Sequence, residues 1–182
     1  MHIAQVNVSR ALEPLDSPLL RDFMAALAPV NALADAAPGF VWRLQTEEGD
    51  ATAVRIGADP LVIVNLSVWA SLEALWAFVY GSAHVGVMQR RRTWFERPAE
   101  AHLALWWVRA GVTPGVDEAA ARLAVIRRDG PGPRAFDFKQ PFGPGGEPLD
   151  AAALTACLQV VETRRGGEQR GAQVRRHDRP RG

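Results

Sequence analysis

Residues 61–69 read Leu-Val-Ile-Val-Asn-Leu-Ser-Val-Trp, and this stretch decides the fold class of the chain. Successive side chains of a strand point to opposite faces of a sheet. One face then carries Val62, Val64, Leu66 and Val68, and the other carries Leu61, Ile63, Asn65, Ser67 and Trp69. Because both faces are largely apolar, the pattern predicts an inner strand of a sheet that is covered on both sides.

The segments around this strand predict three more strands and two helices in a regular order. The further strands are expected at residues 2–8, 40–45 and 102–108. Ser17-Pro18 and Ser71 open the helices, the second of which bends at Gly81-Ser82 and continues over 83–95. A third helix over 117–128 and a short strand over 135–138 follow. The order βαββαβ predicts an α+β, ferredoxin-like fold with an antiparallel sheet.

Two helices can cover only one face of such a sheet, so the other apolar face is expected to be bare. Pairing with a second copy of the chain is the simplest way to cover it. The sequence therefore predicts a homodimer.

Composition divides the 182-residue chain into a body and a tail. Residues 1–142 form the predicted domain, and 143–161 a Gly/Pro-rich linker with a short helix over 150–161. Residues 162–182 carry seven arginines and three acidic residues, a local charge of +4 with few apolar side chains, which predicts a disordered basic tail. The formal net charge of the whole chain is only +1, which argues against a dedicated nucleic-acid partner.

Several classes of protein are excluded or disfavoured by what the sequence lacks. No uncharged stretch is long enough to span a bilayer, and the N-terminus has neither a basic start nor an apolar core, so we expect a cytoplasmic protein. A single cysteine excludes an internal disulfide, and no two histidines have metal-ligand spacing. We therefore expect no metal site.

All six tryptophans fall between positions 42 and 107, and they predict an aromatic-walled ligand cavity. The alternative is that these large side chains only fill the core. The predicted substrate-binding residues are Trp42, Trp69, Trp76, Tyr80, Trp106 and Arg92.

His84 and Asn65 are the candidate catalytic residues. If Gly81-Ser82 breaks the helix, His84 lies in the first turn of the next one, where the helix dipole favours a neutral imidazole. Such an imidazole serves as a general base, an axial ligand or a hydrogen-bond donor, whereas the alternative is a half-buried histidine bonded to the backbone. Asn65 and Ser67 are polar at predicted buried positions, and they need internal partners or a ligand.

The sequence also resembles a known family. The resemblance is carried by residues 65–84, by Arg90-Arg-Arg-Thr-Trp-Phe95, by Leu105-Trp-Trp-Val108 and by Pro38-Gly-Phe-Val-Trp-Arg43. These motifs are similar to a bacterial domain-of-unknown-function family of the dimeric α/β-barrel superfamily, which includes the antibiotic-biosynthesis monooxygenases. Over residues 1–142 the resemblance implies a ferredoxin-like fold that dimerises through its sheet, with a cavity between the sheet and the helices.

Three functional hypotheses follow and remain open at this point. The first is a small-molecule enzyme, a cofactor-independent monooxygenase acting on an aromatic or polycyclic substrate, with His84 as base. The second is a non-catalytic ligand-binding or sensing dimer. The third is a haem-binding protein, because haem-degrading members of the superfamily pair a first-strand asparagine and a later histidine that Asn7 and His84 resemble. The matching tryptophan is absent, since its place falls near Phe78 and Val79.

Overall fold

A computed structural model describes residues 1–81 and 89–152, and these form a four-stranded sheet with helices on both faces. The strands are β1 (His2–Arg10), β2 (Phe40–Arg43), β3 (Val62–Trp69) and β4 (Leu103–Val108). The helices are α1 (Arg21–Asp35), α2 (Leu72–Gly81) and α3 (Val116–Asp129), and two 3-10 turns lie at Pro18–Leu20 and Arg91–Thr93.

The sheet order is β2-β3-β1-β4, and every neighbouring pair is antiparallel. With α1 between β1 and β2 and α2 between β3 and β4, this is the predicted ferredoxin-like arrangement, which is confirmed. β1 and β3 are the central strands, and their register pairs Asn7 with Asn65 and Gln5 with Ser67. Polar side chains of two strands therefore meet on one face in the middle of the sheet.

That face packs against α1 and α2. Ile3, Trp69 and Leu105 of the strands contact Leu72 and Leu75 of α2 in one apolar cluster. A second cluster joins α1 to the turn before β4; its buried members are Ala11, Leu20, Phe23, Trp94 and Phe95. The polar row of the sheet lies between these clusters.

The opposite face is covered by α3, which corrects the prediction of a bare sheet. Ala119, Leu123 and Ile126 of α3 pack on Val6 and Trp106, and each of these five side chains is at most 4% exposed. The reason given for dimerisation is thus wrong, since the chain covers this face with its own helix. The homodimer itself stays a prediction.

Several element boundaries differ from the predicted ones. Residues 135–138 form an isolated bridge of Phe136 to Leu105 rather than a strand. The end of the predicted second helix is a 3-10 turn at Arg91–Thr93, and residues 82–88 lie outside the described residues. The same holds for 153–182, which include most of the predicted C-terminal helix and the whole basic tail.

The turn into β2 passes very close to α2. Gly39 has φ +80°, and a Cβ at this position would lie 2.6 Å from Ala74 Cβ. Glycine is required at this position for two reasons. Other residues rarely adopt this φ, and the Cβ of any other residue would overlap the Ala74 side chain. At the N-terminus of α2, the Ser71 hydroxyl accepts a hydrogen bond from the Ala74 N–H at 3.2 Å, the predicted N-terminal cap.

Candidate active site

A cavity of about 400 Å³ lies between the polar row of the sheet and α1 and α2. Gln5, Asn7 and Ser9 of β1 form its floor together with Asn65 and Ser67 of β3. Aromatic side chains form its walls; they are Phe23, Phe40, Trp69, Phe78, Tyr80, Trp94, Phe95 and Phe138. A polar floor under aromatic walls can orient a flat molecule by hydrogen bonds while it removes apolar surface from water.

The floor has a defined hydrogen-bond arrangement. Gln5 Nε2 donates to Asn65 Oδ1 at 2.7 Å, a diagonal contact between the paired strands. Oδ1 of Asn65 accepts this bond, which leaves the two N–H donors of its Nδ2 available to a ligand. Trp69 Nε1 donates to Ser67 Oγ at 3.0 Å, so Ser67 has the internal partner that its burial requires.

One wall of the cavity carries a histidine beside an arginine. Arg91 Nη1 lies 3.2 Å from His102 Nε2, and Arg91 Nη2 donates to Ser9 Oγ at 3.2 Å. A guanidinium can only donate, so His102 Nε2 must accept and its ring is neutral in this contact. Burial, together with the charges of Arg91 and Arg127, lowers the pKa of His102 below its ordinary value of 6.5.

A second arginine of the wall, Arg43, is already neutralised. Its side chain is 14% exposed and forms an ion pair with Asp35 at 2.8 Å. Its Nη1 also donates to the Gly49 carbonyl at 2.8 Å.

Tyr80 lies at the rim of the cavity with 44% exposure, and burial together with the Asp137 carboxylate raises the pKa of its phenol. The phenol therefore stays protonated at neutral pH.

Of the predicted site residues, Asn65, Trp69 and Tyr80 lie in the cavity wall. Trp76 is one layer behind it, with its ring 4.5 Å from that of Tyr80 and 5.1 Å from that of Phe138. The catalytic or substrate-binding role of each stays a prediction. His84 lies outside the described residues, so its predicted role as base also stays a prediction.

Trp42 and Trp106 lie on the opposite face of the sheet, which corrects their placement in the cavity wall. Phe40 pairs with Trp69, but a register shift then pairs Trp42 with Val68, so Phe40 and Trp42 point to opposite faces. Trp106 is buried under α3, and its Nε1 donates to Glu118 Oε1 at 3.0 Å.

Arg92 is also misplaced by the sequence prediction. It is exposed, whereas its neighbour Arg91 lines the cavity. The sequence prediction also missed Gln5 and His102, which line the cavity. The strand alternation that singled out Asn65 and Ser67 would also have placed Gln5 beside Asn7 on one face.

The described part of the chain contains neither a membrane-spanning helix nor a cluster of metal-ligating side chains. None of its helices is long and apolar enough to cross a bilayer. Within residues 1–81 and 89–152, no three His, Cys, Asp or Glu side chains come together in a way that could hold a metal ion.

The chain is similar to a family and, more distantly, to solved structures. The model of a family described as "Domain of unknown function (DUF3291)" matches residues 2–151. No curated protein matches the chain. A protein of unknown function from Nitrosomonas europaea, NE2512, is 18% identical with a TM-score of 0.43, covering 63% of this chain and 95% of its own. SnoaB, a cofactor-independent oxygenase from Streptomyces nogalater, is 16% identical with a TM-score of 0.41, covering 61% and 96%.

Proposed function

The chain belongs to the DUF3291 family, and we propose that it binds a small aromatic molecule in the cavity over the sheet and oxidises it with dioxygen. Membership confirms the family resemblance drawn from the sequence, but the description of the family states no activity. The observation that supports the proposal is the lining of the cavity, which combines the side-chain amides of Gln5, Asn7 and Asn65 in the floor with aromatic rings in the walls.

The binding step follows from the size and lining of the cavity. About 400 Å³ is within the range of small-molecule sites, and it matches a ligand of two or three fused rings. Trp69 and Phe78 are stacked with centroids 5.0 Å apart, and Phe40 meets Trp69 edge-on at 5.4 Å. Such a wall favours offset or edge contacts with a further aromatic ring.

Binding is tested with N-phenyl-1-naphthylamine, an uncharged dye whose fluorescence rises in apolar surroundings. We expect saturable binding with one dye per chain. Ala26→Phe places a ring in the cavity and should weaken binding at least tenfold, because Ala26 lines it. Ala25→Phe is the matched control, since Ala25 is exposed on the same helix and absent from the lining. Equal binding by both variants would place the dye elsewhere and contradict the proposal.

The oxidation step needs no group beyond dioxygen and the residues of the chain. A base removes a proton from an acidic CH₂ that is conjugated with a ketone through an aromatic ring, and the electron-rich anion reduces dioxygen while a C–O bond forms. Loss of water then leaves a carbonyl, so that CH₂ plus O₂ gives C=O plus H₂O. The Asn65 Nδ2 donor would stabilise the negative charge that develops on the ketone oxygen.

Two histidines are candidates for the base. His84 is the one predicted from the sequence, and it lies outside the described residues. His102 lines the cavity and is held neutral, but its Nε2 already accepts from Arg91, so Arg91 would have to turn away before the ring takes a proton. His84→Ala and His102→Gln, assayed side by side, distinguish them.

Oxidation is tested by oxygen uptake with anthrone, a tricyclic ketone with an acidic CH₂. We expect saturable uptake above the enzyme-free rate. Asn65→Ala should lower it at least tenfold while the naphthylamine dye still binds, since the amide acts on developing charge rather than on the apolar body. Dye binding without anthrone turnover would favour the alternative of a non-catalytic ligand-binding or sensing protein.

The haem hypothesis and the homodimer stay predictions with their own tests. Haem ligation depends on His84. A Soret band that appears when haemin is titrated into the wild type and is absent from His84→Ala would favour the haem hypothesis over the oxygenase.

For the homodimer, sedimentation velocity distinguishes a 19.8 kDa monomer from a dimer. Because α3 covers the second sheet face, a dimer would have to use another surface or displace this helix.

A further inference from the structure

We propose that the ligand of this cavity carries an oxyanion, such as a carboxylate or sulfonate, that binds Arg91 beside Ser9 and His102. This inference rests on the proposed function in one respect: the cavity must bind a small aromatic molecule. It adds the charge of that molecule and the side chain that recognises it.

The Arg91 side chain reaches into the cavity from one of its walls. Arg91 begins the 3-10 turn before β4, and its guanidinium is half-buried in the cavity wall. Within residues 1–81 and 89–152, the guanidinium contacts Ser9 Oγ and His102 Nε2, both neutral acceptors at 3.2 Å. They hold the planar group across the ends of β1 and β4, but they supply no negative charge.

Within the described part of the chain, Arg91 lacks the carboxylate partner that Arg43 and Arg90 have. Arg43 in the same wall is paired with Asp35, and Arg90 is paired with Asp22 at 2.7 Å. Across residues 1–81 and 89–152, no carboxylate forms an ion pair with Arg91. The adjacent segment 82–88 contains no Asp or Glu in its sequence.

A partly buried cation such as Arg91 carries an unfavourable desolvation free energy. Removing a charge from water is costly unless an opposite charge and hydrogen bonds compensate for it. Burial lowers the pKa of Arg91, which is the direction expected for a guanidinium without such compensation. A ligand oxyanion would accept two parallel N–H hydrogen bonds from the Arg91 guanidinium and neutralise its charge.

The surroundings of Arg91 show how the rest of such a ligand would lie. Phe23, Trp94 and Phe95 line the same end of the cavity, with the Phe23 ring 4.9 Å from Phe95 and edge-on to it. An aromatic body packed here would bring its anionic substituent to Arg91. The ligand class is therefore an aromatic acid rather than a neutral hydrocarbon.

Two dyes with the same aromatic body test this inference. 1-Anilinonaphthalene-8-sulfonate carries one sulfonate, and N-phenyl-1-naphthylamine lacks it. We expect Arg91→Gln to weaken binding of the sulfonate at least tenfold and binding of the neutral dye less than twofold. Arg92→Gln, at the exposed neighbouring position, should change neither. One sulfonate per chain, displaced by the neutral dye, would show that both occupy the cavity.

Each further outcome bears on one claim. If both dyes bind the cavity and Arg91→Gln weakens the sulfonate less than twofold, the anion inference is wrong and the cavity proposal stands. If neither dye binds the wild-type chain in the cavity, the proposed function fails first. Arg91→Met keeps the aliphatic stem and serves as the second variant should Arg91→Gln lose its far-ultraviolet circular dichroism. It should show the same selective loss.

Discussion

Gln5 Nε2 donates to Asn65 Oδ1 across 2.7 Å, and this bond favours one orientation of the Asn65 amide, with Nδ2 left to donate to a ligand. Gln5 is 8% exposed on β1, so its own amide has little access to water. The contact runs diagonally between two strands whose register is set by eight consecutive residue pairs. The orientation of the candidate catalytic amide therefore depends on the pairing of the central strands.

A double-mutant cycle should detect this contact in the stability of the fold. Gln5→Ala and Asn65→Ala, alone and combined, should show a coupling energy of about 0.5–1.5 kcal/mol in the free energy of unfolding, the usual net value of one hydrogen bond. Urea denaturation followed by circular dichroism measures it. Strict additivity of the two single changes would contradict a bond between these side chains.

Trp106→Phe should reduce stability without affecting the cavity. The change removes the indole N–H that donates to Glu118 and part of a ring packed under α3, so we expect a loss of about 1–3 kcal/mol. Binding of the naphthylamine dye should stay within twofold of wild type. Trp69→Phe is the comparison, because Trp69 lines the cavity and should weaken the dye severalfold. Equal effects of the two changes on dye binding would argue against opposite faces.

Gly39→Ala should destabilise the fold more than Gly49→Ala does. Both glycines have a positive φ, +80° and +87°, so both substitutions incur backbone strain, but only at Gly39 would the new methyl meet another atom. Strain at such a position costs about 1–2 kcal/mol. The difference between the two variants in urea denaturation measures the clash with Ala74. Ala74→Gly combined with Gly39→Ala should recover part of that difference, and no recovery would contradict the close approach.

His102 should make the protein less stable as the pH falls below about 7. The pKa of His102 is lower in the folded chain than the ordinary 6.5, so between these two values the unfolded chain binds more protons. The contribution of His102 to the free energy of unfolding is therefore complete above the unfolded-state pKa, and it decreases as the pH falls and the imidazole becomes protonated. The charged groups that face the ring are Arg91 and Arg127, both of which oppose protonation.

The matched variant for this prediction is His102→Gln, which keeps an acceptor for Arg91 but does not titrate. Between pH 7.5 and 5.5, wild type should lose more free energy of unfolding than the variant does in urea denaturation. Parallel curves for the two proteins would contradict a neutral, buried His102.

Local patterns in the sequence were sufficient for the order of the elements and for the face of each central strand. The alternation over residues 61–69 predicted β3 to within one residue of Val62–Trp69, and it placed Asn65, Ser67 and Trp69 together. The Ser71 cap could also be predicted from local sequence, because the hydrogen bond of a cap joins residues only three positions apart. These features follow from geometry that repeats every two or four residues.

Only the tertiary structure decided which residues meet across the cavity. The register shift in β2 turned Trp42 away, and the 3-10 turn pointed Arg91 rather than Arg92 inward. That α3 covers the second face depends on the connection that brings residues 116–129 back over β1 and β4. Periodicity cannot predict such placements, because consecutive arginines or a tryptophan on either face satisfy the same local pattern. The difference in free energy between them comes from packing against residues distant in the chain.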